Sequence, residues 1–178
     1  MSYQLRKQLV DIVRRHKGKT EISRNQAPWI KELWSATSYG VAGHDNREPY
    51  CAAGMCWALR EWLKNPDVLE ELGLNAKEAE KWRCKSASVY KAPKDNWLYW
   101  AERAGAQILG PDDTLHTGDF VIYKRSHIDL AVDDTELYPD FYSIGYNTSS
   151  GGFSRDGEGC FEKLSSRGDV MHFIRLLD

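Results

Sequence analysis

The sequence lacks the features that mark several large classes of protein. A formal charge of −2 over 178 residues argues against a dedicated nucleic-acid-binding protein, which usually shows a strongly basic face. No apolar run is long enough to span a bilayer, and charges interrupt residues 1–15 too often for a signal peptide. We therefore expect a chain made and folded in the cytoplasm, with no membrane insertion and no nucleic-acid partner.

Paired metal-binding cysteines and calcium loops are also missing. The four cysteines form no Cys-x-x-Cys pair, and they are too few for a dense disulfide framework. No clean Asp-x-Asp-type loop is visible. We therefore predict no metal and no cofactor, and each thiol needs its own explanation. The cysteines are Cys51, Cys56, Cys84 and Cys160.

What remains is an ordinary globular composition, with 42% hydrophobic and 28% charged residues. The length suits one domain with a proper core. No repeat, low-complexity tract or linker divides the chain, so we expect a single catalytic domain over residues 1–178.

The first part of the chain carries helical patterns. Apolar residues recur at helical spacing, as Leu5, Leu9 and Ile12 do. The tryptophans at such spacings are interpreted as core rather than as a sugar-stacking platform. Asn65-Pro66 is expected to end one of the helices. The predicted helical segments are 4–16, 28–37, 51–64, 67–84 and 90–105.

After Gly110-Pro111 the pattern changes to short β-branched and aromatic runs. Turn residues at 133–134 and 149–152 separate them. Helices followed by strands, without strand–helix alternation, predict an α+β fold with a small antiparallel sheet. The predicted strands are 119–123, 128–132, 141–144 and 171–176.

Cys51 is the candidate nucleophile, because it follows Pro49-Tyr50 and opens the helix at 51–64. A helix N-terminus or a nearby imidazolium lowers a thiol's pKa, and the free N–H groups there can hold an oxyanion. The competing interpretation is an inert buried cysteine, which is the commoner role of a lone cysteine. Cys56 falls on another helix face and is interpreted as core. Tyr50 is the candidate aromatic residue of the cleft.

A cysteine nucleophile needs a base, and histidine is the suitable residue at neutral pH. Among five histidines, His127 stands at the start of a predicted strand, where a side chain is held rigidly. A polar residue on the next strand would orient its imidazole, and Asn147 fits that position. Spacing alone leaves this choice a hypothesis.

Several short motifs resemble those of the CHAP and NlpC-like cysteine peptidases, above all the phage-type peptidoglycan hydrolases. Residues 49–57, Pro-Tyr-Cys-Ala-Ala-Gly-Met-Cys-Trp, are similar to the family's Pro-Trp-Cys-Ala-Ala-Phe-Val-x-Trp. The Gly-Asp strand at 118–123 and the Ser-His strand at 126–132 follow in the family's order. Gly145-Tyr-Asn-Thr148 stands where the family has Glu-Gly-Asn-Thr, and Asn25-Gln-Ala-Pro-Trp-Ile30 resembles its Asn-x-Gly-Pro-x-Ile element. The resemblance runs from about residue 21 to the C-terminus, and the order of its motifs is specific.

The resemblance implies a papain-like fold and hydrolysis of an amide in bacterial peptidoglycan. Its roles transfer as thiolate nucleophile to Cys51, general base and then acid to His127, and imidazole-orienting residue to Asn147. Tyr50 and Asn25 become candidate substrate-binding residues, although Asn25 suits a loop-capping role equally well. The implied protein is a phage lysin, a tail-associated hydrolase or a secreted toxin. It acts at the cell wall or in the periplasm, with an immunity or delivery partner.

Three features depart from the family pattern. Gly145 replaces an acidic residue, Asp129 replaces a small residue two positions after the histidine, and segment 65–88 is longer and more charged than usual. These departures leave the substrate open. The alternatives are an intracellular amidase of small molecules and an inactive cell-wall-binding or structural domain.

Overall fold

The computed structural model describes residues 2–135, 138–149 and 158–178. Over these residues the chain forms helices first and an antiparallel sheet second, which confirms the α+β prediction. The helices are α1 (Ser2–Arg14), α2 (Pro28–Trp34), α3 (Ala42–Asp45), α4 (Cys51–Trp62), α5 (Pro66–Glu71), α6 (Ala76–Trp82) and α7 (Trp97–Ala104).

The strands build one sheet with the order β1-β6-β2-β3-β4-β5, in which neighbouring strands are antiparallel. A short 3₁₀ turn, Arg167–Asp169, leads into the last strand. The strands are β1 (Gln107–Leu109), β2 (Phe120–Tyr123), β3 (His127–Ala131), β4 (Asp140–Thr148), β5 (Gly159–Ser166) and β6 (Val170–Arg175).

Helix α4 lies at the centre of the molecule. It packs against α1 and α2 on one side and against β3 and β4 on the other, so small residues are needed where the sheet approaches. Gly54 shows this most clearly, because a Cβ there would overlap the ring of Tyr146 on β4.

The sheet buries apolar side chains on both faces, and successive side chains of a strand alternate between these faces. On β2, Phe120 and Ile122 join the main core with α4. Val121 and Tyr123 point the other way, into a second cluster that includes Phe141. β2 and β3 are therefore buried along their whole length, which gives the site a rigid base.

The Gly-Asp motif before β2 has a structural role. Asp119 is 1% exposed and pairs with Arg175 of β6 at 2.8 Å. Gly118 has φ +85, and a Cβ there would crowd the backbone of Arg6. These contacts join the start of β2 to β6 and to α1.

Several predicted boundaries differ from the observed ones for local reasons. The predicted helix 67–84 is two helices, because Gly73 turns the chain at φ +66 and Asn75 caps α6 in a capping box with Glu78. The predicted helix 90–105 begins only at Trp97, where the Asn96 side chain caps α7. The predicted turn at 149–152 lies, beyond Ser149, outside the described residues.

Elements α3, β1 and β5 were not predicted. α3 has four residues and β1 has three, which is too short for a periodic signal. β5 carries Glu162 and Lys163 in its middle, so no apolar run marks it. Its pairing with β4 along the strand provides the stabilisation that local sequence does not.

Candidate functional site

Cys51 is the first residue of α4, as the sequence predicts. The cap residue before it makes no side-chain hydrogen bond to the helix end. The first backbone N–H groups of the helix therefore remain able to donate hydrogen bonds. The cysteine is 6% exposed, and its exposed part lines a cleft. A sulfur at the positive end of this 12-residue helix is in a favourable place to carry negative charge.

His127 is the first residue of β3 and follows a tight turn from β2. Ser126 closes that turn in the left-handed conformation, with φ +64, and its N–H donates to the carbonyl of Tyr123. The imidazole lies close enough to the Cys51 side chain to interact with it electrostatically, and both residues line the same cleft. The structure therefore brings together the two residues that the sequence proposed as nucleophile and base.

Asp129 holds the other side of the imidazole. Its Oδ1 lies 2.7 Å from Nε2 of His127, which leaves Nδ1 as the nitrogen available to Cys51. Residues 127 and 129 share one face of β3, because side chains alternate along a strand. This corrects the assignment of the imidazole-orienting role to Asn147: the hydrogen bond belongs to Asp129.

The Asp129 carboxylate is fully buried and is fixed by neighbouring strands. Lys163 Nζ of β5 lies 3.2 Å from its Oδ2, and the Ser143 hydroxyl of β4 donates to the same oxygen at 3.1 Å. Lys163 also donates to Thr148 Oγ1. A buried charge needs such partners, and these contacts keep the carboxylate in one orientation.

Electrostatics couples the buried ions. Burial opposes ionisation of Asp129, but the charges of His127 and Lys163 hold its pKa below the usual range. Burial also opposes the charged form of His127 and by itself lowers its pKa. The Asp129 carboxylate and the Cys51 side chain outweigh burial and raise the pKa of His127 to about 9. At neutral pH the imidazole is therefore protonated, beside a thiol at a helix N-terminus.

Two departures from the family pattern are explained by one contact. Asp129 and Gly145 are cross-strand partners in the β3–β4 register. A Cβ on residue 145 would overlap the Asp129 carboxylate. Residue 145 must therefore be small, and the carboxylate reaches the site from the histidine's own strand.

Asn147 lies in a bulge of β4. The β4–β5 pairing shifts register between Tyr146 and Thr148, and Asn147 takes φ +53, a region that asparagine tolerates better than most residues. The side chain is 3% exposed and lines the cleft. Its Oδ1 is buried without a hydrogen-bond partner among the described protein atoms. Bulges often direct side chains beside active sites.

The cleft has a volume of about 440 Å³ and contains Cys51, His127 and Asn147 together. One wall comes from residues between 86 and 92, which include the end of the long charged segment 65–88, and another comes from Ser38 and Tyr39. A cleft of this volume lies within the ordinary range of ligand-binding pockets.

Tyr50 and Asn25 do not line the cleft. The Tyr50 ring is fully buried and meets Trp29 edge-on, at 5.6 Å between centroids. Burial and the nearby Glu21 carboxylate raise the pKa of Tyr50. Asn25 is also buried, and its amide donates to the Arg47 carbonyl at 2.7 Å. The cleft role expected for both is therefore corrected, and for Asn25 the loop-holding alternative agrees with the structure.

The remaining cysteines are buried free thiols. Cys56 is fully buried, as expected of a core residue, and its sulfur donates to the Ser86 carbonyl at 3.3 Å. Burial and contact with Cys84 raise the pKa of the Cys56 thiol, and burial likewise raises that of Cys160. Neither thiol has the environment of a nucleophile.

The residues that sequence reasoning missed are Asp129, as the partner of His127, and Lys163. The pattern His-x-Asp on a strand was available as a signal, since it places both side chains on one face. Lys163 had no such signal, because it reaches the site through the pairing of β4 with β5.

The fold and the site together define an α+β protein with a cysteine–histidine–aspartate arrangement in a cleft. Comparison with protein-family models, curated proteins and solved structures finds no match to this chain. No helix in the described part of the chain has the length and apolarity needed to cross a membrane.

Proposed function

We propose that this protein is a cysteine amidase or endopeptidase that hydrolyses an amide bond in bacterial peptidoglycan. One observation carries the catalytic part: His127 shares the cleft with Cys51, which raises its pKa, and is hydrogen-bonded to Asp129 at 2.7 Å. This order of nucleophile, base and orienting acid is the pattern of a catalytic triad. The helix bearing cysteine against a sheet bearing histidine supports a papain-like arrangement.

The reaction begins with the cysteine thiolate and the His127 imidazolium. The sulfur attacks the carbonyl carbon of the substrate amide, and the carbonyl electrons move to an oxyanion held by backbone N–H groups at the start of α4. His127 then gives its proton to the leaving nitrogen, and the C–N bond breaks to leave a thioester on Cys51. His127 next takes a proton from water, and the resulting hydroxide hydrolyses the thioester to a carboxylic acid.

Asp129 is the positioning residue of this mechanism. Its carboxylate stabilises the imidazolium and keeps the proton-bearing ring turned toward Cys51. Because His127 stays protonated up to a pH of about 9, the ion pair is available at neutral pH. Activity should therefore persist into the alkaline range and fall as His127 loses its proton.

Asn147 takes a substrate-binding role in this proposal. It lines the cleft beside His127, and its buried Oδ1 needs a donor. A backbone N–H of a bound peptide can provide it. Asn147→Ala should raise KM more than it lowers kcat, whereas Asp129→Asn should lower kcat.

The peptidoglycan substrate is supported by the resemblance of the Cys51, His127 and Asn147 motifs to cell-wall hydrolases. A phage lysin, a tail-associated hydrolase and a secreted toxin all use this chemistry, and each would act at the cell wall or in the periplasm. A toxin would also need an immunity partner in the producing cell.

Purified cell-wall sacculi test the proposal directly. We expect the protein to release new amino termini, identified by mass spectrometry of the muropeptides, and Cys51→Ala to release none. Iodoacetamide should label one thiol per folded chain, and His127→Ala should slow that labelling. Labelling without release from any sacculus would reject the peptidoglycan substrate and favour an amidase of small molecules. An unreactive Cys51 would reject catalysis altogether.

A further inference from the structure

A second concavity continues from the catalytic cleft. It has a volume of about 470 Å³ and lies between α6, the loop before α7, and α7 itself. Ser38, Ser86 and Asp95 line both spaces. A peptide bound across Cys51 can therefore extend into this second space, which we call the basic pocket.

The basic pocket is positively charged in a protein whose net charge is −2. Its cationic side chains are Lys81, Lys85, Lys94 and Arg103, and Asp95 is the acidic residue among those that line it. Lys85 is already paired with Glu80 at 2.8 Å. Lys81 and Lys94 are exposed and make no ion pair with the described residues, so their charge is available to a ligand.

Aromatic residues form part of the basic pocket. Trp82 and Trp100 meet edge-on, with ring centroids 5.3 Å apart, and both line the pocket. Their indole N–H groups already donate to the carbonyls of Ala104 and Trp82. The rings therefore offer apolar surface rather than donors, and this surface suits the short aliphatic segments between the carboxylates of a peptide.

Lys94 occupies a strained position. Its φ is +57, a left-handed conformation that is unfavourable for a side chain with a Cβ and that glycine adopts without cost. A lysine at the pocket edge in this conformation is consistent with a use for its charge.

We propose that the basic pocket binds the carboxylate groups of the peptide whose amide is cleaved at Cys51. This inference rests on the proposed function and narrows its substrate to peptides with free carboxylates on one side of the cleaved bond. Carboxylates are favoured over phosphates because the pocket opens into an amide-cleaving cleft. Lys81 and Lys94 should act as surface charges that attract the peptide carboxylates without holding them in a single orientation.

The test compares one muropeptide in two forms, with free carboxylates and with the same carboxylates converted to amides. Lys81→Gln/Lys94→Gln should raise KM for the acidic form by about 4- to 20-fold at low salt, with kcat unchanged, and should leave the amidated form unaffected. High salt should reduce the difference. Lys77→Gln is the matched control, because Lys77 is exposed on the same helix and does not line the pocket.

Binding separates this inference from the proposed function. Tryptophan fluorescence of Cys51→Ala, titrated with the acidic muropeptide, reports on the pocket even if no cleavage is ever seen. The same affinity in Cys51→Ala with and without the two lysine substitutions would overturn the inference, whatever the activity. Equal displacement by inorganic polyphosphate or single-stranded nucleic acid of matched charge would also overturn it, in favour of a general polyanion site.

Discussion

The strongest prediction concerns Asp129, whose carboxylate holds His127 in its charged form. Asp129→Asn keeps the shape of the side chain and removes its charge. The pKa of His127, raised from 6.5 to about 9 in the native protein, should fall towards 6.5, because burial is then opposed only by the Cys51 side chain. A rise of that size corresponds to about 3 kcal/mol of preference for the imidazolium.

The loss of this preference should lower kcat by about 10²- to 10⁴-fold, as expected when a general base loses its orienting acid. NMR titration of the His127 ring and the pH profile of sacculus cleavage measure the two effects separately. The alkaline limb of the profile should move down in pH together with the NMR pKa.

One complication is that Asp129→Asn leaves the Lys163 ammonium buried without its anion, which destabilises a fold by itself. The control is Asp129→Asn/Lys163→Met, which removes both buried charges. It should regain stability in urea but not activity. A folded Asp129→Asn variant with native kcat and an unchanged pH profile would refute the role assigned to this carboxylate.

Three further predictions follow from the same contacts. Gly145→Asp and Asp129→Gly should each abolish cleavage, the first by overlap at the β3–β4 pair. The double variant should regain part of kcat, because the carboxylate then comes from the opposite strand. A double variant no more active than the single variants would contradict the idea that either strand can provide the carboxylate. Gly54→Ala should lower the free energy of unfolding by about 1–3 kcal/mol, because the new Cβ meets the Tyr146 ring; urea unfolding measures the loss, and a variant as stable as the native protein would count against the contact. The raised pKa of His127 contributes stability that is complete below pH 6.5 and is lost as pH rises through about 9. The free energy of unfolding in urea should therefore decline from pH 6 to 9.5, and the decline should be smaller in His127→Gln. Parallel curves for the two proteins would exclude this contribution.

Local patterns in the sequence were enough for most of the elements and for the placement of two site residues. Helical spacing after Pro49-Tyr50 placed Cys51 at the start of α4, and a short apolar run placed His127 at the start of β3. These features depend on residues within one or two turns of the chain, which is the range over which propensity and periodicity act. The same range explains why the four-residue α3 and three-residue β1 were missed.

The third member of the site shows where local reasoning stops. His127 and Asp129 stand on one strand face by simple alternation, but the sequence does not show that the imidazole turns toward that carboxylate. The choice depends on Lys163 and Ser143, which arrive from β5 and β4 and hold Asp129 in place. Asn147 was assigned to the imidazole from its place on the next strand. The β4 bulge that places it in the cleft wall has no clear local signature in the sequence.

The sequence by itself determined the α+β class, the helix that presents Cys51 and the strand that presents His127, because each follows from local periodicity and turn residues. The tertiary structure decided the partner of His127, the need for a small residue at position 145 opposite Asp129, and the placement of the basic pocket beside the cleft. Strand register and the approach of distant loops are properties of non-local pairing. They appear only when segments far apart in the chain are brought together.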